Sequence, residues 1–557
     1  MTTTKNAITC AIILALLSAC SKQESQPPQQ TGKTKQPANV QQPASGIQNA
    51  VKERVTMEAD ALVQHAAVQY KRSAQFHSLP VTDGYYQAEN RDNYLPSQSN
   101  GVVQVKNAPL STFSIDVDTG SYSNSRSYLN MGKLPPADAI REEAFINYFD
   151  YQYQVPESKA QPFSLNSEIS AAPWNSQRHL LRIAMKGYDI PASQRKPSNL
   201  VFLVDVSGSM NEANKLPLLV RSLSLLTANL TEQDSVSLVT YAGNSSVVLK
   251  PTKGDQQQAI LNALKSLTSG GGTYGESGIR LAYQQAKSAY IEDGVNRIIL
   301  ATDGDFNVGT TNIDALKQLV EKEKRNGISL TTLGFGRGNY NDAMMEQLAN
   351  IGDGNHAYID TLHEAKKVLS RQMSGTLQSI ASDVKVQIEF NPDAVKEYRL
   401  IGYQNRQLKD EDFNNDAVDA GEIGAGHTVT ALYELTLTGN TGQVDNLKYQ
   451  QNAVLTHSYP EELAEIKVRY KLPGEKNSQR TSVTVKREQL KSNFSNTSSD
   501  FQFASAVAAF AQKLKDNKHM DGLSYRQIAD IARSNRGNDP YNYRGEFITL
   551  VEIAESL

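Results

Sequence analysis

The chain has 557 residues, two cysteines and a formal net charge of −3. That length implies several domains, and the apolar fraction is that of a soluble globular protein. With near-neutral charge and no long basic run, a broad nucleic-acid surface is excluded; Lys486, Arg487 and Lys491 read as a solvated face.

The N-terminus comes first. Lys5 gives a thin positive region, and residues 7–17 form an apolar core too short to span a bilayer as a mature helix. Leu17-Ser18-Ala19-Cys20 then resembles a bacterial lipobox. The resemblance implies that residues 1–19 are a lipoprotein signal peptide and that Cys20 becomes the lipid-modified first residue. The rival is an ordinary signal peptide or an uncut anchor. Cys10 lies in the segment to be removed, so no second thiol remains to pair with Cys20, which needs another reason to exist. Ser21 follows in place of Asp, and by resemblance to bacterial sorting rules this implies the outer membrane, with the body in the periplasm or at the cell surface. Residues 20–56 are rich in Gln, Pro, Ser, Lys and Thr and poor in large apolar groups, so they read as a disordered tether.

Residues 57–195 form a distinct N-terminal region. A helix is predicted over 57–73 and another near 124–130, with strands over 163–170 and 180–185. Asp116, Asp118 and Gly120 spell D-x-D-x-G, like the start of a calcium loop. The twelfth position is Ser127 and not Glu, so a turn capping the next helix is the expectation.

The middle of the chain carries the chemistry. The apolar run 200–204 reads as a buried parallel strand, and it ends in Asp205-Val206-Ser207-Gly208-Ser209. Strand ends of this kind are where open α/β sheets place their ligands. One carboxylate and two hydroxyls at alternate positions, with no Cys or His nearby, suit Mg²⁺ or Mn²⁺ better than zinc. Downstream stand the glycine-rich turn 269–275 with its one hydroxyl, Thr273, and a second buried strand ending in Thr302-Asp303-Gly304. These segments resemble the von Willebrand factor type A family, whose metal ion-dependent adhesion site (MIDAS) is written D-x-S-x-S, then T, then D. The resemblance assigns Asp205, Ser207, Ser209, Thr273 and Asp303 to that site; Asp305, two residues beyond Asp303, is read as orienting the site from outside it, with capping of the next segment as the alternative. Capping and ordinary loop roles explain each piece singly, but not all three strand-to-helix junctions together. A phosphate loop is rejected: Glu276 and Ser277 stand where Lys and Ser/Thr should be, so no nucleotide is expected.

Around these motifs the α/β rhythm continues. Helices are predicted over 216–230, 256–267, 278–290, 313–325 and 364–382, and strands over 235–241, 246–249, 328–335 and 356–359. The type A domain is placed at 196–382. Strands over 384–390, 397–403, 428–438, 464–470 and 481–486 suggest an antiparallel β-rich domain at 383–490, and helices over 501–514, 524–533 and 546–556 fill a helical segment at 491–557. The strings 109–123, 141–151, 426–435 and 543–548 resemble one bacterial subfamily of type A lipoproteins, which has its own N-terminal region and a C-terminal domain of unknown role. The fold class expected is α/β: a doubly wound, mostly parallel sheet (von Willebrand factor A, Rossmann-like) inserted in a β-sandwich, with an N-terminal α+β region and C-terminal helices. The upstream strands at 163–170 and 180–185 would complete the sandwich, with the type A domain an insertion whose ends lie close together.

Enzyme signatures are missing. G-x-S-x-G is absent around Ser207 and Ser277, H-E-x-x-H is absent, and His356 and His363 read as structural. The expectation is a non-catalytic envelope lipoprotein that binds a protein partner's acidic side chain through Mg²⁺ (or Mn²⁺) and touches the membrane through the lipid on Cys20. An envelope scaffold with a purely structural metal, or less readily a metal-assisted hydrolase, are the alternatives.

Overall fold

The computed structural model describes residues 91–557 apart from 159, 305–312, 373–374, 376, 446–458, 516–517 and 521. The signal segment, Cys20, the tether, the helix over 57–73 and Asp305 lie outside the described residues.

The described chain enters through a clasp. Arg91 and Asn93 donate their backbone N–H groups to the carbonyls of Gly338 (3.0 Å) and Tyr340 (2.8 Å). The Asp92 carboxylate accepts from the backbone N–H groups of the same two residues, both at 2.8 Å. Strands β1 (Val103–Gln104) and β2 (Leu110–Ser114) follow, neither of them expected from the sequence. Helix α1 (Gly120–Leu129) starts earlier than predicted. The D-x-D-x-G turn is present, because Asp116 Oδ1 accepts from the Asp118 N–H at 2.9 Å. The predicted cap is not: Asp118 Oδ1 accepts from the backbone of His356 instead, and Thr119 precedes the helix without a side-chain bond. Next come α2 (Glu142–Ile146), β3 (Phe163–Ala172) and β4 (Asn175–Gly187).

The type A domain then runs β5 (Ser198–Asp205), α3 (Leu216–Thr227), β6 (Ser235–Tyr241), β7 (Ser245–Lys253), α4 (Gln257–Lys265), α5 (Gly275–Ser288), β8 (Val295–Thr302), α6 (Ile313–Arg325), β9 (Ser329–Gly334), α7 (Asp342–Ile351), β10 (His356–Tyr358) and α8 (Leu362–Lys366). Among the described residues its sheet has the order β10-β9-β8-β5-β6-β7. All pairings are parallel except β6 with β7, a hairpin. Central β5 is buried at every position. Its Leu200, Phe202 and Val204 enter one core, and Val201 and Leu203 enter the other, beneath helices on both faces. That two-sided burial is why the strand reads as an unbroken apolar run. Each such side chain contributes about 1.5–3 kcal/mol of burial.

The helix predicted over 364–382 is a correction. Helical structure passes from α8 into a π-helical turn at Lys367–Arg371, and by Ser379 the chain is strand β11 (Ser379–Phe390). Pairing of β11 with strands on both sides outweighs the local helical pattern there. Strands β12 (Val395–Ile401), β13 (Gly421–Gly424), β14 (Thr428–Leu437), β15 (Glu462–Lys471), β16 (Gln479–Lys486) and β17 (Leu490–Lys491) follow. They build two sheets, β1-β12-β14-β4-β3-β17 and β13-β11-β15-β16, with β2 paired to β11. The β3–β4 hairpin, which precedes the type A domain, therefore lies in the same sheet as β14, which follows it. A Cβ on Gly187 would meet Ile380 and the carbonyl of Gly424 at 2.9 Å, so the two crossing points of the chain are neighbours. The doubly wound unit is an insertion in a sandwich.

Leu181, Ile183 and Met185 of β4 fill the sandwich core with Val386, Ile388 and Ile466. The alternate residues Leu180 and Ala184 face the C-terminal helices α9 (Ser499–Leu514), α10 (Tyr525–Ser534) and α11 (Tyr543–Ser556). This period-2 split makes β4 the wall between two cores.

Buried charge joins the parts. Helix α1 covers the β10 edge of the type A sheet. Its Arg126, with a fully buried side chain, pairs with Asp360 (2.5 Å), Glu364 (2.7 Å) and Glu546 (2.9 Å) and donates to Tyr148. Arg141 holds Asp342 (2.6 Å) and Glu346 (2.9 Å) on α7, and Arg406 holds Asp116 (2.9 Å) and Asn350 (2.7 Å).

Candidate metal-ion site

Asp205 is the last residue of β5 and Asp303 directly follows β8, the strand beside it, so parallel pairing brings two carboxylates to one sheet end. Both are buried, Asp205 at 0 % and Asp303 at 2 % exposure. Asp205 Oδ1 accepts from the Ser207 N–H at 2.9 Å, which folds the loop back over the strand end. Its Oδ2 accepts from Thr302 Oγ1 at 2.9 Å and from the Tyr241 hydroxyl at 3.3 Å. Burial pushes the Asp205 carboxyl up to about 6, against the hydrogen bonds from Ser207 and with a further push from Asp303.

Two hydroxyls pair in the loop that follows Asp205. Ser207 Oγ and Ser209 Oγ lie 3.0 Å apart, Ser207 buried and Ser209 exposed. The glycine turn is fastened across this loop: Gly270 donates to the carbonyl of Val206 (2.8 Å), and Gly208 donates to that of Gly271 (3.1 Å). Gly271 has φ +85°, a conformation open to glycine at little cost. The turn ends where Tyr274 donates to the Ala242 carbonyl at 2.8 Å, leaving Thr273 half-buried just before α5.

The residues fit a hard cation. Among the described residues no group of three or more His, Cys, Asp or Glu is placed to hold a metal ion. An ion here would take hydroxyl oxygens from Ser207, Ser209 and Thr273 along with the two carboxylates, the donor chemistry of Mg²⁺ or Mn²⁺. When bound, it would supply a positive charge open to an incoming oxygen ligand. Asp305, expected to orient the site, lies outside the described residues.

Three neighbours of the site were not read from the sequence. Thr302 and Tyr241 hold Asp205, and each stands at a strand end beside β5, a placement the strand alternation could have revealed. The third is Lys215, at the start of α3. Its buried ammonium lies 3.2 Å from Asp303 Oδ2 and 3.5 Å from Glu212. Nothing in local sequence points a lysine twelve positions before a helix end at a carboxylate 88 residues on.

Comparison with known proteins identifies the family. The von Willebrand factor type A domain model matches residues 199–371, a model described as von Willebrand factor matches 88–182, and one described as "Uncharacterized protein YfbK, C-terminal" matches 375–557. The chain is 46% identical over 471 residues to "Uncharacterized protein YfbK" of Escherichia coli strain K12, covering 83% of this chain and 81% of that one. It is 29% identical over 232 residues to "Uncharacterized protein sll0103" of Synechocystis, covering 41% and 53%. Among solved structures, a von Willebrand factor type A protein from Catenulispora acidiphila matches with 12% identity and a TM-score of 0.39, over 70% of this chain and 89% of that one. The type A domain supports a protein-interaction or adhesion-type role. The chain belongs to the bacterial von Willebrand factor type A domain proteins that carry a YfbK-type C-terminal domain.

Proposed function

We propose that this protein is an envelope lipoprotein that captures a protein partner through Mg²⁺ (or Mn²⁺) at the end of the type A sheet, and that it acts by binding and not by catalysis. The observation carrying the reading is the paired hydroxyls of Ser207 and Ser209, 3.0 Å apart in front of the buried Asp205. With three neutral hydroxyls on the ion and Asp205 and Asp303 acting largely through bound waters, as the family resemblance implies, few direct charges would leave it electrophilic, so an acidic side chain of the partner is the fitting ligand. Cys20 in its lipobox supports a lipid anchor at the outer membrane. Among the described residues no helix is long and apolar enough to cross a membrane.

Two measurements test this. Calorimetry with Mg²⁺ and Mn²⁺ should show binding by wild type and none by Asp205→Ala, and capture of partners from envelope extract should be lost in chelator. Equal metal binding by both proteins sinks the adhesion-site reading, and metal binding with chelator-insensitive capture favours a scaffold whose metal is structural. Cys20→Ser should leave an unprocessed precursor or a soluble product; normal processing and membrane fractionation of that variant would remove the anchor.

A further inference from the structure

We infer that Lys215 is a built-in counter-cation of the metal site: it lowers affinity for the metal ion and fixes a net positive charge that selects an acidic ligand. The inference rests on the metal reading of Asp205 and Asp303.

The geometry is specific. Lys215 Nζ sits 3.2 Å from Asp303 Oδ2 with only 6 % of the side chain exposed, whereas its second contact, Glu212 at 3.5 Å, is a carboxylate 66 % exposed. The ammonium is therefore directed at the site carboxylate, while Glu212 is largely solvated. Its stem is held by the loop after β9. Gly336 has φ +71° there, and a Cβ at that position would collide with the Lys215 stem along three of its carbons. The lysine is thus fixed in place and is not a mobile surface charge. Buried ammonium and carboxylate at this distance interact strongly.

Two consequences follow from charge alone. A divalent ion must share Asp303 with a cation already present, so its binding is opposed by repulsion from Lys215. Once the ion is bound, two carboxylates face a divalent ion and a lysine, and one net positive charge remains. Without Lys215 the same assembly would be neutral. The lysine exchanges metal affinity for attraction of an anionic group.

The test compares wild type with Lys215→Met, Lys215→Gln and Lys215→Arg in the full chain. Calorimetry should show Mn²⁺ bound at least about tenfold more tightly by the Met and Gln variants. Capture on a carboxylate-bearing resin at saturating Mn²⁺ should fall several-fold in the same variants. Lys215→Arg keeps the charge and should resemble wild type in both. A purely structural lysine would leave metal affinity unchanged or weakened, and that result, or undiminished capture by the neutral variants, overturns the inference. The Gln variant serves if the Met variant does not fold. Absence of Mn²⁺ binding by wild type and all three variants would instead bring down the metal reading itself, and this inference with it.

Discussion

The two ends of the charge inventory of this molecule are built on opposite plans. At the metal-site end, Asp205 is buried with hydroxyl partners and a raised carboxyl, and the loops around it carry glycine and serine. At the β10 edge, buried acids are held by arginines: Arg126 meets three carboxylates and Arg141 meets two. There the acids are held down. Arg141 and His356 hold Asp342 below the usual carboxylate range despite burial, and Arg126 and Lys367 do so for Glu364. On the metal reading, a carboxylate held by hydroxyls, as Asp205 is, leaves room for a cation, while one saturated by arginine fastens two parts of the chain together; Asp303, paired with Lys215 at 3.2 Å, stands between the two.

The largest expected effect breaks the fastened end. Arg126→Met would leave Asp360 and Glu364 buried with their main cation removed, costing about 3–5 kcal/mol. Chemical denaturation should show the loss, or a separate early transition of the type A domain; a change under about 1 kcal/mol would mean that the network contributes little.

An intermediate effect sharpens the contrast through pH. Glu143, fully enclosed at the junction, accepts from the backbone of Tyr403 at 2.9 Å. Burial pushes its carboxyl up to about 7, with Asp116 and Glu142 adding to the shift. The folded state therefore holds this proton more tightly than the unfolded chain. The stability it contributes is fully present below the ordinary carboxylate range and is lost as pH rises from there through about 7, by about 3 kcal/mol in all. Glu143→Gln should remove this dependence, so that the variant gains on wild type between about pH 4.5 and about pH 7 in thermal unfolding. Parallel pH profiles for the two proteins would contradict it.

The smallest effect on stability belongs to the open end. Thr273 is half-buried on the glycine turn, and Thr273→Ala should change unfolding by no more than about 0.5 kcal/mol while weakening partner capture. Marked destabilisation would show that the turn serves the fold first.

What the sequence made legible is local or periodic. Asp205, Ser207, Ser209 and Asp303 stand at the ends of apolar runs, and parallel pairing alone was enough to bring the two strand ends together. The β3–β4 hairpin was assigned to the sandwich because alternation marked it as strand on the wrong side of the insertion. What escaped depends on distance or on tertiary override. Helix α7 was missed although Asn341 caps it through the Met344 N–H, and the first residues of β11, 379–382, were read as the tail of a helix. Lys215 with Asp303, Arg126 with Glu546 and Arg406 with Asp116 join residues that no local pattern relates.

The clasp at residues 91–94 has a mechanical meaning. The carboxylate of Asp92 and the backbone of Arg91 and Asn93 grip Gly338 and Tyr340, and Ala343 at the start of α7 donates back to Asn93 at 3.2 Å. The gripped loop abuts Gly304, where a Cβ would run into Tyr340 and the backbone of Asn341. Tension drawn along the chain from its N-terminal side would load these bonds in shear before any strand of the sandwich or the type A sheet. Loosening the clasp would slacken the loop that abuts Gly304, the residue after Asp303, so a pull on this side of the chain would reach the candidate metal-ion site.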